Sequence, residues 1–169
     1  FWSITRFEDI LEVEKNWEVF SSFPRISIAD PVEDTSFSAP TFIAMDPPRH
    51  DEQRKTVQDV VAPPNLKELE STIRARAGKI LDDLPVNEVF NWVDAVSIEL
   101  TTQMLATLFD FPFNDRGKLT RWSDVVFARL GEGIIDSNEQ RYEELMECLD
   151  YFTRLWQERE QNPVGNDFI

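Results

Sequence analysis

The feature that most constrains this chain is the stretch from Pro40 to Val61, where a proline pair is followed by a charged segment. Asp46 precedes Pro47 and Pro48. Its carboxylate can accept a hydrogen bond from a first-turn backbone N–H, which suits an N-cap. Proline is tolerated at the first helical position, because its missing N–H would have no helical partner there. The pattern therefore predicts a helix that has Asp46 as its N-cap, begins at Pro47 and ends before Pro63.

Two potential cations, His50 and Arg54, lie four residues apart in this predicted helix and so share one face. They repel each other unless an anion lies opposite. One explanation is ordinary, because a histidine beside an arginine on a surface helix is commonly solvated. Asp51 and Lys55 form a further pair at the same spacing, which also favours a plain helix surface. The spacing alone leaves both interpretations open.

The fold class predicted from apolar spacing and helix-start signals is mainly α, with a short N-terminal strand. The strand is predicted at Phe1–Ile4, and a second short strand is possible within residues 86–91. The predicted helices span about 5–14, 47–61, 65–81, 94–109, 114–130 and 137–162. The helix over 94–109 is the least charged and is predicted to be the most buried. The last helix is predicted to begin at a capping box of Ser137 and Gln140. Its predicted apolar stripe consists of Tyr142, Leu145, Met146, Leu149, Phe152 and Trp156.

The charge of the chain excludes some classes of partner. There are 32 acidic against 17 basic residues, a net charge of −15, which argues against nucleic acid and anionic membrane surfaces. No apolar run approaches the roughly 18 residues that a membrane-spanning helix needs. The single cysteine, Cys148, permits no internal disulfide, so a reducing, cytoplasmic location is expected.

The residues from Met45 to Arg54 resemble the M-D-P-P-x-H-x-x-x-R segment of bacterial cytochromes P-450. The string VSIELTTQMLATLFDFPF, with the following DRGKLTRWSD, is similar to the alkane-hydroxylase branch of that superfamily. The resemblance implies a partial P-450 fold, heme b as cofactor, and His50 and Arg54 as the residues that hold a haem propionate. It also implies a monooxygenase that uses O₂ to hydroxylate alkanes or fatty acids at the terminal carbon.

Electrons in the resembled branch come from a ferredoxin, which is fed by an NAD(P)H-dependent ferredoxin reductase. Arg49 and Lys55 are the candidates for contact with that donor, although Asp51 could instead neutralise Lys55. Other apolar side chains are candidates for the wall and mouth of a substrate pocket, with simple packing as the equal alternative. These candidates are Ile26, Ile28, Phe37, Phe42, Ile43, Ile134 and Ile135.

Parts of the P-450 machinery are missing from these 169 residues. The sequence contains neither an E-x-x-R motif nor an F-x-x-G-x-x-x-C haem loop, and Cys148 is predicted to be a structural thiol. We therefore expect residues 1–169 to be a single incomplete domain, the N-terminal portion of a P-450, that catalyses nothing by itself. Without the resemblance, the alternative is an acidic helical protein-interaction module that binds no haem.

Overall fold

Helices supply the regular structure of this protein, as a computed structural model shows for residues 1–24, 41–162 and 168. These residues form two compact units, Phe1–Asp59 and Val60–Ile169, and each is described by itself. Within the described ranges there is no strand, and the mainly α prediction is confirmed. Three of the pocket candidates, Ile26, Ile28 and Phe37, lie outside the described residues.

The predicted strand at Phe1–Ile4 is wrong. Residues 1–5 have no regular structure, and the side chains of Phe1 and Trp2 are 97% and 96% exposed. A strand gains its stability from a neighbour that pairs with its backbone, and the described residues offer none. The second possible strand, within residues 86–91, is likewise irregular, and Asn87 has a positive φ of 63°.

The first unit contains helix α1 (Phe7–Lys15), a short 3₁₀ helix (Phe42–Ala44) and helix α2 (Arg49–Val57). Before α1, Arg6 forms an ion pair with Asp9, at 2.7 Å from Nε to Oδ2. The start predicted for α2, Pro47, is two residues too early, because Pro47 and Pro48 form a turn that precedes the helix. Asp46 makes no side-chain cap to α2.

The second unit begins with residues of a 3₁₀ turn and continues through four α-helices joined by short connections. Proline opens the first of these helices, as expected where the first N–H groups need no helical partner. A single π-helical segment, Val93–Ile98, leads directly into the second. The four helices are α3 (Pro63–Asp82), α4 (Glu99–Leu108), α5 (Gly117–Phe127) and α6 (Asn138–Gln161).

The start of α6 confirms a cap predicted from sequence. The Ser137 hydroxyl accepts a hydrogen bond from the Gln140 N–H over 3.1 Å, which satisfies a first-turn donor. The Gln140 side chain turns back as a capping box requires, but its Oε1 accepts from the Asp136 N–H, one residue before the cap.

An aromatic core joins α5 and α6 to the turn after α4. Trp122 is 4% exposed and Phe111 is 4% exposed, and their ring centroids lie 6.2 Å apart. Tyr151 of α6 stacks on Phe111 at 4.7 Å. A second cluster of Val125, Ile135 and Leu145 extends this core along the same two helices. Burial of such large side chains stabilises each by roughly 1.5–3 kcal/mol relative to exposure.

Candidate functional site

Both predicted haem-binding residues open onto one cleft in the first unit. The cleft has a volume of about 700 Å³ and is lined by residues of α1, the segment after it, and the turn that leads into α2. His50 and Arg54 line it from α2, where their spacing of four residues puts them on one face as predicted. Ile43, one of the pocket candidates, lines the same cleft.

His50 is held in place by two neighbours. Its Nδ1 lies 2.8 Å from Asp51 Oδ1, and its ring meets the ring of Phe42 edge-on with centroids 6.0 Å apart. The His50 side chain is 24% exposed, so it is only partly open to solvent. These contacts leave Nε2 as the ring atom available to a ligand.

Arg54 presents a charge with no local partner. Its side chain is exposed, and no ion pair or side-chain hydrogen bond involves its guanidinium within residues 1–24, 41–162 and 168. The chain has 32 acidic residues, so an unpaired arginine on a cleft wall is informative. A carboxylate is the ligand that a guanidinium binds best, through two parallel charge-assisted hydrogen bonds.

The pair expected between Asp51 and Lys55 is absent among the described residues, because Asp51 contacts His50 instead. Arg49 and Lys55 are both exposed. At about 100° per residue they lie on opposite flanks of the face that His50 and Arg54 share, about 120° from each other. Their proposed contact with an electron donor stays a prediction.

Asp46, which sequence analysis treated as a cap, holds the wall of the cleft together. Its Oδ1 accepts a hydrogen bond from the Ser22 N–H over 2.9 Å, and its Oδ2 accepts from the Ser21 hydroxyl. The hydroxyl contact, followed by the backbone one, lowers the pKa of the Asp46 carboxyl. These partners lie 24 and 25 residues earlier in the chain, so no local pattern could have revealed them.

The remaining pocket candidates divide by exposure. Phe42 is partly buried against His50, and Ile43 is 48% exposed. Ile134 is 38% exposed in the loop between α5 and α6. Ile135 is 1% exposed and packs with Val125 and Leu145, so packing accounts for its position. A role of these residues in a substrate pocket stays a prediction.

Cys148, metal ligation and membrane-spanning helices were the other features to consider among the described residues. Cys148 is half-buried beside the aromatic core, and burial raises the pKa of its thiol to about 11, as suits a structural thiol. Within the described ranges, no group of three or more histidine, cysteine or carboxylate side chains could hold a metal ion. None of the described helices is long and apolar enough to cross a membrane.

Comparison with known proteins finds relatives that are named as monooxygenases or hydroxylases. The chain is 30% identical over 169 residues to the steroid C26-monooxygenase of Mycolicibacterium smegmatis, covering 97% of this chain and 39% of that protein. It is 26% identical over 130 residues to the methyl-branched lipid omega-hydroxylase of Mycobacterium bovis, covering 75% of this chain and 30% of that protein. No protein-family model matches the chain.

The fold has a solved counterpart. CYP153D17 from Sphingomonas sp. PAMC 26605 superposes with a TM-score of 0.81 at 40% sequence identity, covering 98% of this chain and 41% of that one. The chain thus spans well under half the length of the proteins that it matches. Its homologues and structural neighbours are bacterial cytochromes P450, and the chain covers part of the P450 fold.

Proposed function

We propose that this chain is part of a haem-dependent monooxygenase that hydroxylates alkanes or fatty acids at the terminal carbon. Similarity to P450 monooxygenases, one of them a lipid omega-hydroxylase, supports the reaction class. One observation within the chain carries the proposal: His50 and Arg54 line a single cleft, and Arg54 lacks an acidic partner among the residues described.

The chemistry of this cleft suits a haem propionate. Three carboxylates also line the cleft: Asp46 is engaged by Ser21 and Ser22, Asp51 is engaged by His50, and Glu14 forms no ion pair with Arg54 among the described residues. The Arg54 guanidinium is therefore the open charge, and its complement is a carboxylate from a ligand. The donor set fits the propionates of haem b.

Each residue of the cleft has a distinct task in this proposal. Arg54 donates charge-assisted hydrogen bonds to a propionate. His50 presents Nε2 to the same propionate, while its Nδ1 is engaged by Asp51. Haem b, when bound, supplies the oxygen activation and the oxidation of the C–H bond. The protein residues bind and orient the cofactor and exclude water.

The substrate and the electron donor belong to the same proposal. Phe42 and Ile43 contribute apolar surface in the first unit, and Ile134 contributes apolar surface in the second; such side chains suit contact with a linear hydrocarbon chain. Arg49 and Lys55 attract a small acidic ferredoxin, which receives its electrons from an NAD(P)H-dependent reductase. Cys148 is half-buried beside the aromatic core, so a thiolate ligand for the haem would have to come from outside residues 1–169.

Reconstitution of the complete protein tests the proposal. The purified protein is assayed for haem content, for the spectrum of the reduced carbon monoxide complex, and for products from octane, dodecane and hexadecanoic acid. We expect a thiolate-haem spectrum and products hydroxylated at the terminal carbon, with ferredoxin, its reductase and O₂ all required.

Two results would contradict the proposal in different ways. Hydroxylation only at internal carbons would refute the terminal position but leave the monooxygenase intact. A complete protein that binds no haem would refute the monooxygenase itself and favour a protein-interaction module.

A further inference from the structure

Arg121 of α5 holds the loop that carries Ile134. Its Nε donates to Glu144 Oε2 over 2.6 Å, and its Nη2 donates to the carbonyl oxygen of Ile134 over 3.2 Å. Nη2 also donates to Glu144 Oε1, so the carboxylate engages two nitrogens of the guanidinium. The Arg121 guanidinium has a fixed orientation, because two of its nitrogens bind the two oxygens of the Glu144 carboxylate.

Gln140 holds the other end of the same segment. Its Oε1 accepts from the Asp136 N–H over 2.9 Å, and its Nε2 donates to Glu144 Oε1 over 3.2 Å. Glu144 therefore contacts both Arg121 and Gln140. The Glu144 carboxylate therefore orients the two side chains that bind the Ile134 carbonyl and the Asp136 N–H, on either side of Ile135.

Ile135 anchors the middle of the segment. Its side chain is 1% exposed, and its carbonyl oxygen accepts from the Gly131 N–H over 3.0 Å. Gly131 has a φ of 78°, a conformation that glycine adopts without strain and that brings its N–H to this carbonyl. The backbone from Ile134 to Asp136 is thus fixed at three places, yet the Ile134 side chain is left 38% exposed.

We propose that Arg121 is a positioning residue that holds Ile134 as a rigid apolar contact for the hydrocarbon chain of the substrate. The inference rests on the proposed function, which counts Ile134 among the apolar side chains that contact the substrate. A side chain on a fixed backbone binds without the entropy loss of ordering a mobile loop. Removal of Arg121 therefore leaves the chemistry of Ile134 unchanged but makes its binding weaker.

Lys118 provides a matched control one turn earlier on α5. Its Nζ forms an ion pair with Glu147 of α6, so it joins the same two helices through the same charge types. None of its described contacts reaches the loop after α5; besides Glu147 it lies over the rings of Trp122 and Tyr151. Lys118→Gln removes an interhelical ion pair without removing a contact to the loop.

Hydrogen exchange in the complete protein measures the rigidity directly. The reporters are the N–H groups of Gly131 and Asp136, whose acceptors are known. We expect Arg121→Gln to speed their exchange about tenfold, because a charge-assisted contact to the loop is lost. Lys118→Gln should leave both rates within about twofold of the wild type.

Direct binding measures the consequence. Calorimetric titration with dodecanoate gives dissociation constants for the wild type, Arg121→Gln, Lys118→Gln, Ile134→Ala and the Arg121→Gln/Ile134→Ala double variant. We expect Arg121→Gln to weaken binding about three- to tenfold, the cost of ordering a freed side chain. Since Arg121 acts through Ile134, adding Arg121→Gln to Ile134→Ala should weaken binding no further.

The outcomes separate the inference from the function on which it rests. A wild type that binds neither dodecanoate nor, in a parallel titration, octane refutes both. A wild type that binds, with Arg121→Gln equally tight or with additive effects in the double variant, refutes the inference alone. Equal weakening by Lys118→Gln also refutes it, because any interhelical ion pair would then serve. Faster exchange and weaker binding in Arg121→Gln only, without additivity, establishes it.

Discussion

Replacement of Arg54 by alanine should weaken haem retention in the complete protein. The Arg54 side chain makes no hydrogen bond or ion pair among the described residues, so its removal breaks none of these and isolates the contact to the ligand. A hydrogen bond to a charged group contributes about 1.5–3 kcal/mol. Because Arg54 is exposed on the cleft wall, the lower value applies, and it corresponds to roughly tenfold faster haem dissociation.

Haem transfer to excess apomyoglobin, followed by absorbance, gives the dissociation rate. Lys55→Ala is the matched control, because it removes the same charge from the next position on α2 but from another helix face. His50→Ala should also speed release, since it deletes the second donor to the propionate. Indistinguishable release from Arg54→Ala and Lys55→Ala would mean that helix charge in general, and no specific contact, retains the haem.

Three further predictions concern stability and electron transfer. Trp122→Ala should lower the free energy of unfolding by about 3–5 kcal/mol in urea titration, whereas Trp156→Ala, at a site 60% exposed, should change it little. Burial raises the pKa of the Cys148 thiol from 9.0 to about 11, so the stability from its neutral form is complete below pH 9 and is lost as pH rises toward 11; Cys148→Ala should reduce the alkaline fall in the urea midpoint. Arg49→Glu and Lys55→Glu should each slow reduction by ferredoxin at low salt, while reduction by dithionite, which needs no docking, stays normal; equal slowing by both reductants would mean damage to the haem site.

Local patterns predicted the helices of this chain well. The cap at Ser137 was identified from neighbouring residues, and the structure begins α6 at Asn138 as that pattern requires. The apolar stripe predicted for α6 is only partly right, because Leu145 is buried whereas Tyr142, Leu149 and Trp156 are exposed. The pairing of His50 with Arg54 on one cleft wall was also predicted, because helical spacing alone sets which side chains share a face.

Long-range contacts were beyond local patterns. Asp46 is a residue type favoured at N-caps and stands in the position of one. Its carboxylate instead accepts hydrogen bonds from the Ser21 hydroxyl and the Ser22 N–H, in the segment after α1. Lys55 lies four residues after Asp51, a spacing that favours an ion pair, yet the Asp51 carboxylate contacts the imidazole of the adjacent His50 instead. In both cases a carboxylate has two chemically reasonable partners, and only the folded backbone decides between them.

The type of helix and the depth of burial were also not predicted correctly from the sequence. Apolar spacing predicted one helix over residues 94–109, whereas the chain forms a π-helical segment from Val93 to Ile98 before α4. The low charge of this stretch also suggested deep burial, but α5 contributes more fully buried side chains, including Trp122. Amphipathic α5 has one face that packs on α6, whereas hydrophobicity alone does not specify a packing partner.

The contacts between α5 and α6 are of two kinds, aromatic and ionic, and dissolved salt affects the two kinds in opposite ways. The interior contact is aromatic, through Trp122 and Tyr151, with ring centroids 5.7 Å apart. The outer contacts are ionic, through Arg121 with Glu144 and Lys118 with Glu147. Dissolved salt screens exposed ion pairs, whereas strongly hydrated salts such as sulfate strengthen apolar burial. In concentrated sulfate the two helices therefore stay together through their rings, while the arginine that orients the loop between them loses much of its hold.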